Sequence, residues 1–179
     1  MHRSLLDVVT RGLFAAALVL TPALASAQDV TEPALKAAFI YNFAKFTEWP
    51  ADTLGATEPI AMCVVGDLAV SQALERAVKA HMLAGHTISV SFVVPEAPRG
   101  VCHVMYVSGL NATQATKLLA GVRDAPVLTI GDLDRFTEFG GVAQFFFEQG
   151  QLRFSIDLAS ARRARLQISS RLLVLARSK

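Results

Sequence analysis

Two aspartates, Asp67 and Asp132, each follow a glycine directly after an apolar run, in "VVGD" and "TIGD"; a third run leaves through "YVSGLN". If these runs are parallel strands, ligands bind beyond their carboxyl ends, and the pair could converge on a cation or polar ligand. A plainer role carries more weight: an aspartate between strand and helix accepts backbone N–H bonds as a helix cap. The four histidines make no catalytic or metal set. His2 stands at the extreme N-terminus, His81 and His86 are five apart and so on different faces of a helix, and His103 adjoins an apolar run. H-E-x-x-H, G-x-S-x-G, G-x-G-x-x-G and P-loop patterns are absent from the sequence. "NAT" at Asn111 matches a glycosylation sequon, a triplet that arises often by chance. The expectation is a protein without catalysis, cofactor or metal.

The N-terminus sets how the two cysteines are read. "MHRSLLDVVTR" carries two arginines, "GLFAAALVLTPALA" is apolar, and Ala25, Ser26 and Ala27 are small. That is the grammar of a secretory signal peptide cleaved after Ala27. The apolar run is about 14 residues and broken by Pro22, short of the ~20 a spanning helix needs; a retained anchor is the alternative. The expected organisation is a leader over 1–27 and a single exported domain over 28–179. Net charge is +2 for the whole chain, and it advertises neither nucleic acid nor an acidic substrate. In an oxidising compartment Cys63 and Cys102, the only cysteines, favour a disulfide with each other. Two separately buried thiols are the other reading.

Strand and helix patterns alternate through most of the chain. "PIAMCVVGD", "CHVMYVSG" and "APVLTIGD" read as buried strands, and "HTISVSFVV" as an alternating one. "TEPALKAAFIYNFAKFTEW", "LAVSQALERAVKAH" and "NATQATKLLAGV" read as helices, the first ended by Pro50; "LDRFTEF" reads as a short helix or turn. "GVAQFFFEQGQLRFSIDL" then gives two strands joined at Gly150, with Leu152, Phe154 and Ile156 on one face and Arg153, Ser155 and Asp157 on the other. "ASARRARLQISSRLLVLARSK" closes the chain as a basic helix with Ile168, Leu172 and Leu175 as its apolar stripe, Ser169 capping the last segment. The fold expected is α/β: a mostly parallel central sheet with helices on both faces and a C-terminal antiparallel hairpin.

"KAAFIYNFAKFTEWP" holds five of the fourteen aromatic side chains. At about 100° per residue, Leu35, Phe39, Phe43 and Phe46 share an arc that should face the core. Tyr41 falls on the opposite side and Trp49 off the edge. Amphipathic rings at such margins form interfaces or ligand walls; partial burial under a loop weighs equally. Arg153 and the arginines at 162, 163, 165, 171 and 177 read first as a solvated basic face, and second as anion or partner recognition.

The first stretch, "CVVGD", "CHVMYVSG", "VLTIGD" and above all "LRFSIDLASARRARLQISSRLLVLAR" resemble the YfiR family of periplasmic proteins, in order across nearly the whole exported part. The resemblance implies a Rossmann-like layout, a periplasmic location, and in some members a homodimer. It implies a regulator that binds the periplasmic region of an inner-membrane GGDEF diguanylate cyclase and represses it, lowering cyclic di-GMP and biofilm formation. Cys63 and Cys102 match one family disulfide. Relatives with a second cysteine pair carry it near Gly140 to Phe147, where this chain has none. Relatives commonly read "ARRAGL" where this chain has Arg165 in the glycine's place. Tyr41, Trp49, Arg153 and Arg171 are the residues expected at a recognition surface or pocket. A small-ligand-binding accessory of a sensor histidine kinase is the alternative.

Overall fold

The computed structural model describes residues 30–94 and 101–177, so the expected leader over 1–27 and its expected cleavage point lie outside the described residues. Helix α1 (Glu32–Lys45) leads into strands β1 (Thr47–Glu48) and β2 (Ile60–Val65), then α2 (Leu68–Val78) and β3 (Ile88–Val93). After β4 (Val104–Val107), α3 (Ala112–Ala120) and β5 (Leu128–Gly131) come the hairpin strands β6 (Ala143–Glu148) and β7 (Gln151–Ile156). The chain ends in α4 (Leu158–Arg163), β8 (Gln167–Ile168) and α5 (Ser170–Leu173). The main sheet runs β3-β2-β4-β5-β6-β7, parallel throughout except for β7 against β6. That is the α/β layout expected from the strand–helix alternation. Among the described residues, no helix is long and apolar enough to cross a membrane.

Period-two patterning divides the sheet between two cores. Ile60, Met62 and Val64, with Val104, Tyr106, Leu128 and Ile130, meet α1, α2 and α4 on one face. Cys63, Val65, Met105 and Val107 meet Ala115, Leu118 and Leu119 of α3 and the fully buried Phe136 on the other. Cys63 and Cys102 are joined in a disulfide, their Cα atoms 5.8 Å apart, which ties β2 to the residues just before β4. The hairpin turn follows its sequence signal. Gln149 and Gly150 both have positive φ, the geometry a two-residue connection needs to match strand twist. Ser155, expected on the outward face of β7, is instead buried.

Caps fix the helix starts. Asp67 accepts from the Val70 N–H at 3.0 Å, and Asn111 and Gln114 form a reciprocal capping box, so the sequon asparagine serves the backbone. Asp157 caps α4 through Ala159 and Ser160. Burial alone would raise the Asp157 pKa, but hydrogen bonds from the Ser160 hydroxyl and the two amides, with Arg163 nearby, hold it below the usual carboxylate range. Asp157→Ala is expected to cost about 1 kcal/mol in denaturant unfolding at neutral pH. A group with a lowered folded pKa gives its stability above the unfolded value, about 4, and loses it as pH falls through the folded one. The gap between wild type and variant should therefore close in acid.

Two segments depart from the sequence expectation. α1 stops at Lys45 rather than at Pro50, because Thr47 turns away: its hydroxyl donates to the Phe43 carbonyl at 2.8 Å, and β1 pairs antiparallel with β8. The C-terminal stretch is not one helix. It breaks at Arg165, whose φ of 57° is left-handed, so that Gln167 and Ile168 can reach β1. Ser169 does cap the final short helix, and Leu172 is buried, but Leu175 is exposed. A left-handed non-glycine residue costs roughly 1 kcal/mol, while the exposed Arg165–Asp52 bridge at 3.1 Å returns little. Arg165→Gly is expected to raise unfolding stability by about 0.5 kcal/mol, whereas Asp52→Ala should leave it nearly unchanged. A loss of stability in Arg165→Gly would contradict this account of the break.

Candidate functional site

The carboxyl-end crevice typical of such sheets is closed here between β2 and β4. Strand order reverses between β2 and β4, the point where the crevice would open. The loops after these strands meet instead: Gly66 has φ +83°, and a Cβ there would lie 2.0 Å from the Ser108 carbonyl oxygen. Asp67 is engaged as a cap. Other surfaces remain open to a partner.

One such surface is a cleft of about 550 Å³ where α1 ends. Tyr41 and Trp49 both line it, together with Thr47, Leu54, Met82 and His86. Both rings are half-buried against the larger core. Tyr41 comes from the last turns of α1 and packs edge-on to His81, with ring centroids 5.2 Å apart. Trp49 follows β1, so the pairing of β1 with β8 sets its place and helical phase does not. Its indole Nε1 is buried and has no hydrogen-bond partner. A buried donor left unpaired is costly. Met82 stands largely exposed at the wall, a flexible side chain suited to an incoming apolar group.

The other two expected residues lie outside this cleft. Arg153 stands on the sheet-edge strand β7, hydrogen-bonded to Gln151 and 4.0 Å from Glu148. Arg171 is exposed in the first turn of α5, after β8. The four residues therefore form no single constellation: Tyr41 and Trp49 come together, and the two arginines stand apart.

The core-facing stripe of α1 is rotated from the expected one. The buried residues are Lys36, Ala37, Ile40, Phe43 and Ala44, a face centred about 120° from the arc of Leu35, Phe39 and Phe46. Those three are half-buried margins. Phe39 sits edge-on to Phe145 and Phe154 of the hairpin, with centroids 5.8 and 6.1 Å away. The rotation takes a lysine into the interior, and the structure answers with a polar knot. Lys36 Nζ donates to Asp132 at 2.7 Å, and the same carboxylate oxygen accepts from the Tyr106 hydroxyl at 2.7 Å and the Ser108 hydroxyl at 3.0 Å. Lys36 also pairs with Glu32 at 2.6 Å.

Asp132 is therefore a hub joining α1 to β4 and β5 rather than a helix cap, since the chain after it makes turns and no helix. Burial pulls the Lys36 pKa down, but the hydrogen bonds and charges of Asp132 and Glu32 outweigh it and hold the ammonium above its usual value. Burial, followed by the Asp132 charge, pushes the Tyr106 phenol far above its usual range, so it stays a donor. A signal for this knot was present: Lys36, Ile40 and Phe43 share one helical face, and a charge on a buried face requires a partner.

The described residues contain no group of three or more histidine, cysteine or acidic side chains placed to hold a metal. A family model described as YfiR/HmsC-like matches residues 33–177, which takes in α1 almost from its start and everything through α5. No curated protein matches the chain significantly. The match covers the cleft, the disulfide and the polar knot alike, and on it the chain belongs to the YfiR/HmsC-like family.

Proposed function

We propose that this protein is a non-enzymatic periplasmic regulator that binds the periplasmic region of an inner-membrane GGDEF diguanylate cyclase and holds it inactive. The observation that carries the reading is the Tyr41–Trp49 cleft: two amphipathic rings beside an exposed methionine. Family membership and a buried disulfide, a bond that persists in oxidising compartments, support the regulatory role and the location outside the cytoplasm. Repression follows if the cleft binds the inactive state of the cyclase better than the active one. Tyr41 and Trp49 are the anchors of the interface, and Arg153 and Arg171 add charge steering from separate positions, affecting association rate more than residence.

The test is cyclic di-GMP in cells carrying such a cyclase, with and without the exported chain. Co-expression is expected to lower cyclic di-GMP. Trp49→Ala should relieve the repression, since loss of a central aromatic anchor costs about 2 kcal/mol, roughly thirtyfold in affinity. Unchanged cyclic di-GMP with an intact, exported chain would sink the reading. A ligand-dependent melting shift without any grip on a cyclase would favour the accessory of a sensor histidine kinase.

A further inference from the structure

Residues 158–179 hold six cations, Arg162, Arg163, Arg165, Arg171, Arg177 and Lys179, and no acidic residue. All five arginines are exposed. Three of them meet acids from outside the segment: Arg163 stands 4.0 Å from Asp157, Arg165 3.1 Å from Asp52 and Arg177 3.5 Å from Glu148. Exposed pairs of this kind are weak and screened, so an outside anion can compete for the guanidinium groups. Even with Glu48, which stands opposite Gln167 in the small sheet, the cations outnumber these acids.

The same segment puts aliphatic side chains into water. Val174 is 80% exposed and Leu175 67%. They follow Arg171 by three and four residues, the spacing that places side chains on one side of a helical turn. That turn is closed by bonds from the Val174 N–H to the Ser170 carbonyl and from the Leu175 N–H to the Leu172 carbonyl. It is also held to the body of the protein. Leu172 is buried in the larger core, the Ser169 N–H donates to the Phe46 carbonyl at 2.9 Å, and the Arg177 N–H donates to the Phe154 carbonyl at 2.8 Å. Val174 and Leu175 therefore stand on a fixed turn, flanked in sequence by Arg171 and Arg177.

We infer that this C-terminal surface docks on an anionic lipid bilayer, with Arg171 and Arg177 taking lipid phosphates while Val174 and Leu175 enter the headgroup boundary. A planar guanidinium matches phosphate oxygens in pairs, and basic residues beside exposed aliphatics are the composition of interfacial anchors. The other arginines of the segment add attraction at longer range. An acidic patch alone would satisfy the arginines and leave the two aliphatics in water; a bilayer takes both. The hold is peripheral and reversible, because two aliphatics and a few cations fall far short of a spanning helix. The Tyr41–Trp49 cleft is lined by other residues, so this surface stands or falls separately from the proposed repression.

The experiment is co-sedimentation of residues 28–179, with no cyclase present, on vesicles of phosphatidylcholine mixed with phosphatidylglycerol, and in parallel on phosphatidylcholine alone. Retention is expected on the anionic vesicles, falling as salt is raised, with little on the neutral ones. Arg171→Gln should weaken it about fivefold. The double variant Val174→Ser, Leu175→Ser keeps every charge and should weaken it about tenfold. Arg123→Gln removes one exposed cation from the turn after α3, on the other face of the main sheet, and should leave retention unchanged. All these positions are exposed, so cooperative melting is expected of each variant. No retention of the folded wild type on anionic vesicles at low salt would overturn the inference. Equal retention on neutral vesicles would also overturn it, as would a loss in Arg123→Gln as large as in Arg171→Gln. An unaffected double serine variant would remove the part given to the aliphatics and overturn it too.

Discussion

Removing the cross-link with the double variant Cys63→Ala, Cys102→Ala should lower unfolding stability by about 4 kcal/mol, the largest effect expected of any change considered. The bond joins residues 39 apart in sequence, and closing a loop of that size restricts the unfolded chain by roughly this amount. Both cysteines are buried within the α3-side core, so the folded state has packing to lose as well. Urea unfolding of wild type with and without reductant separates the two contributions. Reduced wild type should lose most of what the double variant loses. If reduction shifts the midpoint by less than about 1 kcal/mol equivalent, the cross-link contributes little to the stability of the fold. The chain has only this pair of cysteines, so any thiol–disulfide response must pass through it.

Asp132→Ala is expected to cost about 3 kcal/mol, because one carboxylate oxygen serves three donors. Its loss leaves the Tyr106 hydroxyl without its acceptor at a fully buried residue, and leaves Lys36 to Glu32, which is more than half exposed. Asp132→Asn keeps an acceptor and should cost less. Lys36→Met should cost least of the three, since Asp132 retains both hydroxyl donors and a methionine suits the buried face. The order of the three, read by chemical denaturation, is the test; a neutral Asp132→Ala would contradict the hub. The pH dependence carries a sign. Lys36 has a raised folded pKa, so its contribution is complete below the unfolded value, about 10.4, and is lost as pH rises through the folded one. Wild type should therefore lose stability in strong alkali by a step that Lys36→Met lacks.

The parts of the fold that were legible in the sequence depend on short-range chemistry. Asp67 and Ser169 read as caps, the "EQGQ" turn read as a hairpin, and the apolar runs at β2, β4 and β5 read as buried strands, because each signal is completed within a few residues. What escaped depends on partners far along the chain. The end of α1 is set by Thr47 pairing with Ile168, and the break at Arg165 by the same small sheet, so neither shows in local periodicity. The phase of α1 escapes the helical wheel because large rings outweigh alanines there, although Phe43 is buried as its pattern implies. Here Ala37, Ile40 and Ala44 form the buried face, while Phe39 leans on the hairpin from the side. Of the site, the sequence singled out Tyr41 and Trp49, which the structure places in one cleft, but it gave no reason to join them to Met82 and His86. Arg153 and Arg171 belong to other surfaces. Asp132 was noticed for its position after a strand, yet its role depends on Lys36, 96 residues earlier in the chain.

The central claim is that the Tyr41–Trp49 cleft grips a cyclase. Its most direct measurement is calorimetric titration of residues 28–179 with the purified periplasmic region of a membrane diguanylate cyclase from the same cell, repeated with Trp49→Ala. The account predicts saturable binding for wild type and a loss of about thirtyfold for the variant, both proteins being folded at the temperature of the titration. Equal affinity for the two proteins, or no binding by a folded, disulfide-bonded wild type, would contradict it.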